Sequence, residues 1–151
     1  GEGYIYFNGG YRMLNRELLI KYFIDKAKPL SLEYDEQKKI AIDLNLGDYF
    51  TEDIANDWFT EEISDLRELS KNKIVTEKAV ELYAKIDSNF IEVSSNDKIY
   101  SKIWTLKGMK EHIFWQQQRE LAKQFIKELG VNEDDCFTTF SKFPDDLLNK
   151  N

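Results

Sequence analysis

Histidine and cysteine, two side chains often used in catalysis and metal binding, each occur once in the 151-residue chain. His112 follows Glu111, but adjacent helical residues point in different directions, and one turn earlier the chain has Gly108 instead of an orienting acid. Cys136 follows an acidic run, which disfavours the reactive thiolate. We therefore expect no catalytic pair, no internal disulfide, no metal site and no bound cofactor.

Carboxylates are the abundant reactive groups, and they are concentrated in residues 43–68, here named the acidic segment. This segment has nine acidic residues and one base, a net charge of -8, whereas the whole chain has a net charge of -7. Four aromatic residues lie among the acids: Tyr49, Phe50, Trp58 and Phe59. Carboxylates that steer an encounter and aromatic side chains that anchor it are typical of a surface that binds a basic protein.

The acidic segment predicts a non-enzymatic protein-binding module that neutralises or regulates a basic partner protein. An immunity protein, an antitoxin or an inhibitor of a nuclease or toxin would have such a surface. The predicted contact residues are Asp53, Asp57, Trp58, Phe59, Glu61, Glu62 and Asp65. In the alternative interpretation, the acids belong to ordinary helix N-termini, where the helix dipole favours them, and the aromatic side chains face the core. The exposure of Trp58 and Phe59 distinguishes the two.

A second hypothesis is a small-molecule-binding domain or a small enzyme with an aromatic-lined pocket. Tyr100, Trp104 and His112 would line that pocket beneath a long helix, together with Tyr4 and Tyr6. An apolar cavity with a few polar groups is the usual form of such sites.

A third hypothesis is a single-stranded nucleic-acid binder. A strand over 98–104 would place basic and aromatic side chains on one face: Lys98, Tyr100, Lys102 and Trp104. Lys107 and Lys110 would extend the basic surface. Such platforms bind single strands by charge and stacking. The acidic composition makes nucleic acid the least favoured partner, since nucleic-acid-binding domains are usually basic.

Three hairpins are predicted from turn signals and alternating apolar residues. Asn8-Gly9 between aromatic and apolar runs indicates the first, over 4–14. The alternation at 30–34 and again at 40–46 predicts the second. The third pairs 90–94 with 98–104 across a polar turn.

Helices are predicted over 15–26, 76–88 and 106–129 from apolar residues at helical spacing. Pro29 sets the end of the first, because a proline disfavours helical backbone at the residue before it. Threonines whose hydroxyls can cap a helix predict further starts. They are Thr51, Thr60, Thr76 and Thr105.

Together these elements predict one α+β domain over residues 1–144, with antiparallel β-hairpins, helices packed on one face and a long C-terminal helix at about 106–129. Residues 145–151 are predicted to be a frayed tail. The longest apolar stretch, 18–24, is interrupted by Lys21 and is shorter than the ~20 residues that span a bilayer, so we expect no membrane partner. The single thiol and many lysines favour the cytoplasm; the sequence leaves the oligomeric state open.

Overall fold

The computed structural model describes residues 16–130 and, at the level of the backbone, 4–7 and 10–13. The two N-terminal segments form a short antiparallel ribbon, β1 (Tyr4–Phe7) and β2 (Gly10–Met13), in which Tyr4 pairs with Met13. Eight helices follow: α1 (Arg16–Ser31), α2 (Tyr34–Asp43), α3 (Tyr49–Asn56), α4 (Glu62–Lys71), α5 (Glu77–Ser94), α6 (Tyr100–Ile103), α7 (Leu106–Glu111) and α8 (Ile113–Leu129).

The predicted α+β class is wrong, because the fold is helical and residues 16–130 contain no strand. Pairing occurs where the first hairpin was predicted, but it makes a two-stranded ribbon and not a layer that supports the helices. The second predicted hairpin is the end of α1 together with α2, and the third is the end of α5 together with α6. The predicted tail at 145–151 and Cys136 lie outside the described residues.

The end of α2 explains the wrong second hairpin. Asn45 adopts a left-handed backbone conformation (φ 57°), its N–H donates to Ile42 O at 2.9 Å, and the N–H of Leu46 donates to Ala41 O at 2.9 Å. These two bonds form a Schellman motif, which ends a helix by satisfying its last carbonyls. The motif usually has glycine at the left-handed position. Because asparagine occupies it here, the end of the helix was not recognised from the sequence.

The predicted long helix over 106–129 is two helices, because the chain changes direction at His112 (ψ 135°). The imidazole Nδ1 of His112 accepts from the N–H of Phe114 at 3.1 Å and thereby caps α8. Gly108 lies so close to the preceding turn that a Cβ there would be 1.9 Å from the carbonyl oxygen of Lys102. The lack of a side chain at Gly108 therefore lets α7 pack directly on α6.

The other predicted helix boundaries had mixed outcomes. α1 continues through Pro29 to Ser31, and its last carbonyls are satisfied by the side-chain amide of Gln37, which donates to Pro29 O (3.0 Å) and Leu30 O (3.2 Å). Thr76 and Thr105 cap α5 and α7 as predicted. Thr51 lies inside α3. Thr60 precedes α4 without acting as its N-cap.

The core lies around α8, which packs against α1 and α5, and α4 packs on α5. Aromatic rings fill it in two groups. The first contains Phe23, Trp58, Tyr83 and Phe125, and the second contains Phe90, Trp104, Phe114 and Trp115. The first group lies directly beneath the connection between α3 and α4, which is part of the acidic segment.

Candidate functional site

The acidic segment forms the end of α2, the following turn, α3, a five-residue connection and most of α4. Its four aromatic residues divide evenly between core and surface. Phe50 and Trp58 are buried, whereas Tyr49 is 72% exposed and Phe59 is 48% exposed. Trp58 therefore packs against Tyr83 and Phe125 and offers no surface to a partner. The aromatic side chains that a partner can reach are Tyr49 and Phe59.

The predicted acidic contact residues also divide. Asp53, Asp57 and Glu61 are exposed, and none of them forms an ion pair within the described part of the chain. Glu62 and Asp65 are half-buried. The carboxylate of Glu62 lies 2.8 Å from the ammonium group of Lys26 and is thus engaged inside the protein.

Residues 57–61, here named the pinned loop, connect α3 to α4 and are held from below by polar side chains of α1 and α5. Lys26 Nζ donates to the backbone carbonyl oxygen of Asp57. The N–H of Phe59 donates to Tyr83 Oη at 3.0 Å, and Tyr83 Oη also lies 2.9 Å from Phe59 O. Thr60 Oγ1 donates to Asp87 Oδ2 at 2.9 Å. Hydrogen bonds to residues that are distant in the sequence thus fix Asp57, Phe59 and Thr60.

The pinned loop presents the side chains of Asp57, Phe59 and Glu61 outwards while its backbone is held by the hydrogen bonds from below. The ring of Phe59 lies over the Lys26 ammonium group, 4.6 Å from it, which orients the ring by a cation–π contact. Burial raises the pKa of Asp57, and the neighbouring acids Asp53 and Glu62 raise it further, while Lys26 opposes them.

Glu62 joins the loop supports into one network. Its Oε1 lies 2.8 Å from Lys26 Nζ and accepts from Tyr83 Oη at 2.8 Å, and its Oε2 accepts from Tyr22 Oη. Burial, the hydrogen bond to Glu62 and its charge raise the pKa of both tyrosines well above the ordinary value. Both phenols are therefore neutral donors at physiological pH, and they are poor candidates for a general base.

Four side chains that support this surface were not predicted from the sequence: Tyr22, Lys26, Tyr83 and Asp87. One signal was present: Lys26 lies three residues after Phe23 and four before Leu30, so it is a charged residue on the apolar face of α1. A charge in such a stripe is rarely buried unless it is paired. The partner Glu62 could not be identified, because it lies 36 residues away in the sequence.

The residues of the predicted aromatic pocket do not converge on one cavity. Trp104 is buried in the core, and the ring of Tyr100 is 45% exposed, 6.1 Å from it. His112 lines a separate cleft of about 630 Å³ between α6 and α7, with Lys102, Lys107 and Thr105, and neither Tyr100 nor Trp104 borders this cleft. The side chains of Tyr4 and Tyr6 lie outside the described part of the chain.

The face predicted for a nucleic-acid platform is absent, because residues 98–104 form a turn and the short helix α6. Tyr100 and Trp104 therefore do not alternate with lysines along a strand. Over the described residues, no three His, Cys, Asp or Glu side chains are placed to hold a metal ion. In the same part of the chain, no helix combines the length and the apolar character needed to cross a bilayer.

Comparison of the chain with protein-family models, with curated proteins and with solved structures finds no match.

Proposed function

We propose that the chain is a protein-binding module that uses the pinned loop and the exposed face of α3 to occupy the basic site of a partner protein. An inhibitor, an immunity protein or an antitoxin acting on a basic nuclease or toxin has this chemistry. The observation that supports the proposal is the fixed backbone of the pinned loop beneath the exposed side chains of Asp57, Phe59 and Glu61.

A fixed loop favours binding, because less conformational entropy is lost when the partner docks. Phe59 supplies an aromatic anchor, while Asp53, Asp57 and Glu61 supply the charge that speeds the encounter with a basic surface. Trp58 and Glu62 support the loop from inside and are no longer proposed as contacts. We propose the cytoplasm as the compartment, on the basis of the single thiol and the many lysines of the sequence.

The test is affinity capture with the wild type and an Asp57→Lys/Glu61→Lys variant, followed by binding kinetics with the purified partner at low and moderate salt. Glu92→Lys/Asp97→Lys is the matched control, because it makes the same charge change at exposed positions near the end of α5. We expect a basic partner that the wild type and the control retain and the loop variant loses. Added salt should slow the association.

A second variant, Phe59→Ser, tests the anchor without changing the charge. We expect it to weaken binding at least about tenfold, mainly through faster dissociation. Equal retention of the same partner by the wild type, Asp57→Lys/Glu61→Lys and Phe59→Ser would contradict the proposal.

A further inference from the structure

A cleft of about 340 Å³ opens between α1 and the pinned loop. Its apolar lining consists of Leu18 and the rings of Tyr22 and Phe59, and the two aromatic residues are 36% and 48% exposed. The volume is at the lower end of the range for ligand sites, about 300–1,000 Å³. The cleft therefore suits a single side chain better than a large ligand.

Four charged side chains line the cleft, and three of them are paired. Lys21 Nζ lies 2.6 Å from Asp25 Oδ2, and Lys26 Nζ lies 2.8 Å from Glu62 Oε1. The carboxylate of Asp57 has neither a hydrogen bond nor an ion pair among the residues that the structure describes. Burial raises its pKa, as expected for a carboxylate that has lost water without gaining a partner.

Lys26 belongs to the wall of the cleft. Its side chain is only 5% exposed, and its ammonium group lies 5.2 Å from the ring centre of Tyr22 and 4.6 Å from that of Phe59. It also donates to the carbonyl oxygen of Asp57. Because both lysines of the cleft are already paired with carboxylates, the cleft is better suited to a cation than to an anion.

We propose that the cleft receives an arginine side chain of the partner protein, whose guanidinium group pairs with the carboxylate of Asp57 and stacks on the ring of Phe59. This inference rests on the proposed function and names the group that the pinned loop recognises. Arginine fits better than lysine, because its planar group bonds a carboxylate through two N–H groups, stacks on aromatic rings and is more weakly hydrated.

The local charge also favours this occupant. The ammonium groups of Lys21 and Lys26 oppose a third cation, but the carboxylates of Asp25, Asp57 and Glu62 outnumber them by one. An arginine would therefore neutralise the charge at the cleft, and a carboxylate with little access to water gains more from such a pair than an exposed one.

The probe is N-acetyl-arginine N-methylamide, which represents an arginine within a protein chain. It is titrated into the isotope-labelled full chain and followed by two-dimensional amide NMR. We expect saturable shifts of the backbone amides of Asp57 and Phe59. The lysine analogue should bind more weakly, and the uncharged citrulline analogue should not bind.

Two variants test the assigned contacts. Asp57→Asn should weaken arginine binding at least about tenfold, because it removes a charged hydrogen-bond acceptor. Phe59→Leu, which keeps an apolar side chain without a ring, should weaken it about threefold. The matched control is Asp53→Asn, since it removes the same charge from an exposed residue of α3 that does not line the cleft. The control should bind the probe as the wild type does.

A wild type without saturable shifts would overturn the inference, as would equal affinities of the wild type and Asp57→Asn. Binding of free arginine but not of the blocked analogue would identify a site for the amino acid itself and also overturn it. Affinity capture separates the two proposals. A captured basic partner without arginine binding contradicts the cleft assignment alone, whereas arginine binding without such a partner supports the cleft and contradicts the proposed function.

Discussion

Glu62 illustrates how a single carboxylate in an acidic surface can have a structural role. It accepts hydrogen bonds from two tyrosines and pairs with Lys26, whose side chain is only 5% exposed. The exposed acids Asp53, Asp57 and Glu61 lie close to it in sequence but have no such internal partner in the described residues. Only the fold separates the two groups, because all are carboxylates with similar sequence neighbours.

The ion pair of Lys26 and Glu62 should behave as a buried pair. Lys26→Met leaves the Glu62 carboxylate without its cation, and Glu62→Gln leaves the buried ammonium group without its anion. We expect each single variant to lower the free energy of unfolding by about 3–5 kcal/mol, and the double variant by less than the sum. Urea denaturation measures all three, and additive losses would show that the two side chains do not interact.

Tyr83 supports the pinned loop through one hydroxyl group. Tyr83→Phe deletes the acceptor of the Phe59 N–H and a donor to Glu62, so we expect the free energy of unfolding to fall by about 1–3 kcal/mol. Tyr100→Phe is the control, because that side chain is 45% exposed and its loss should stay within about 0.5 kcal/mol. Similar losses in the two variants would contradict the assigned role of the hydroxyl.

At the scale of elements, the wrong strand predictions lie at the ends of helices. The apolar alternation at Ile40, Ile42, Leu44 and Leu46 is typical of a strand, but it combines two half-buried residues with two that face solvent. The apolar residues at every second position therefore do not lie on one buried face, as they would in a strand. A second Schellman motif ends α4, where Lys73 is left-handed (φ 61°) and the N–H of Ile74 donates to Leu69 O. Neither motif has the glycine that marks such ends in a sequence.

The third hairpin was predicted wrongly for a related reason. Tyr100, Lys102 and Trp104 alternate in the sequence, but Tyr100 and Lys102 are exposed while Trp104 is buried. The other residues that face the core are Ile99 and Ile103, which lie four apart and thus on one helical face. The candidate surface was easier to predict than the fold, because charge density is visible in the sequence. The composition located the acidic segment, whereas the burial of Trp58 depends on Tyr83 and Phe125, which are distant in sequence.

The packing of α7 on α6 can be tested at its closest point. Gly108→Ala would place a methyl group against the backbone carbonyl of Lys102, which cannot move without shifting α6. We expect a loss of about 3 kcal/mol or more, at the upper end of overpacking effects. Gly47→Ala provides the comparison, since Gly47 has φ +56° but open space around it, and the left-handed backbone alone costs about 1–2 kcal/mol. Thermal denaturation should rank Gly108→Ala as the more damaging change.

For the whole molecule, buried polar groups connect helices that are far apart in sequence. Arg119 of α8 donates to Gln37 Oε1 of α2 (2.9 Å) and to the carbonyl oxygen of Met109 in α7 (2.6 Å), while Gln37 donates to the end of α1. Burial lowers the pKa of Arg119, because no carboxylate contacts its guanidinium group directly among the described residues. The network of Lys26 and Glu62 joins α1, α4 and α5 in the same way.

The raised pKa of Tyr22 and Tyr83 makes the fold sensitive to alkali. The folded state keeps both phenols protonated at pH values where the unfolded chain releases these protons, above about pH 10. Their contribution to stability is thus complete below that pH and is lost as the pH rises through the folded-state pKa values. We expect unfolding free energies measured from pH 8 to 11 to fall less steeply in Tyr83→Phe than in the wild type. Identical slopes would contradict this linkage.

All three tryptophans, Trp58, Trp104 and Trp115, are buried, so intrinsic tryptophan fluorescence reports on the core. The indole N–H of Trp115 donates to Ile103 O at 2.7 Å, whereas those of Trp58 and Trp104 have no hydrogen-bond partner in the described structure. Native emission should therefore be blue-shifted and resistant to quenching by acrylamide. Since Trp58 directly precedes Phe59, a partner that moves the pinned loop should change this emission, and one that docks without moving it should leave the spectrum unchanged.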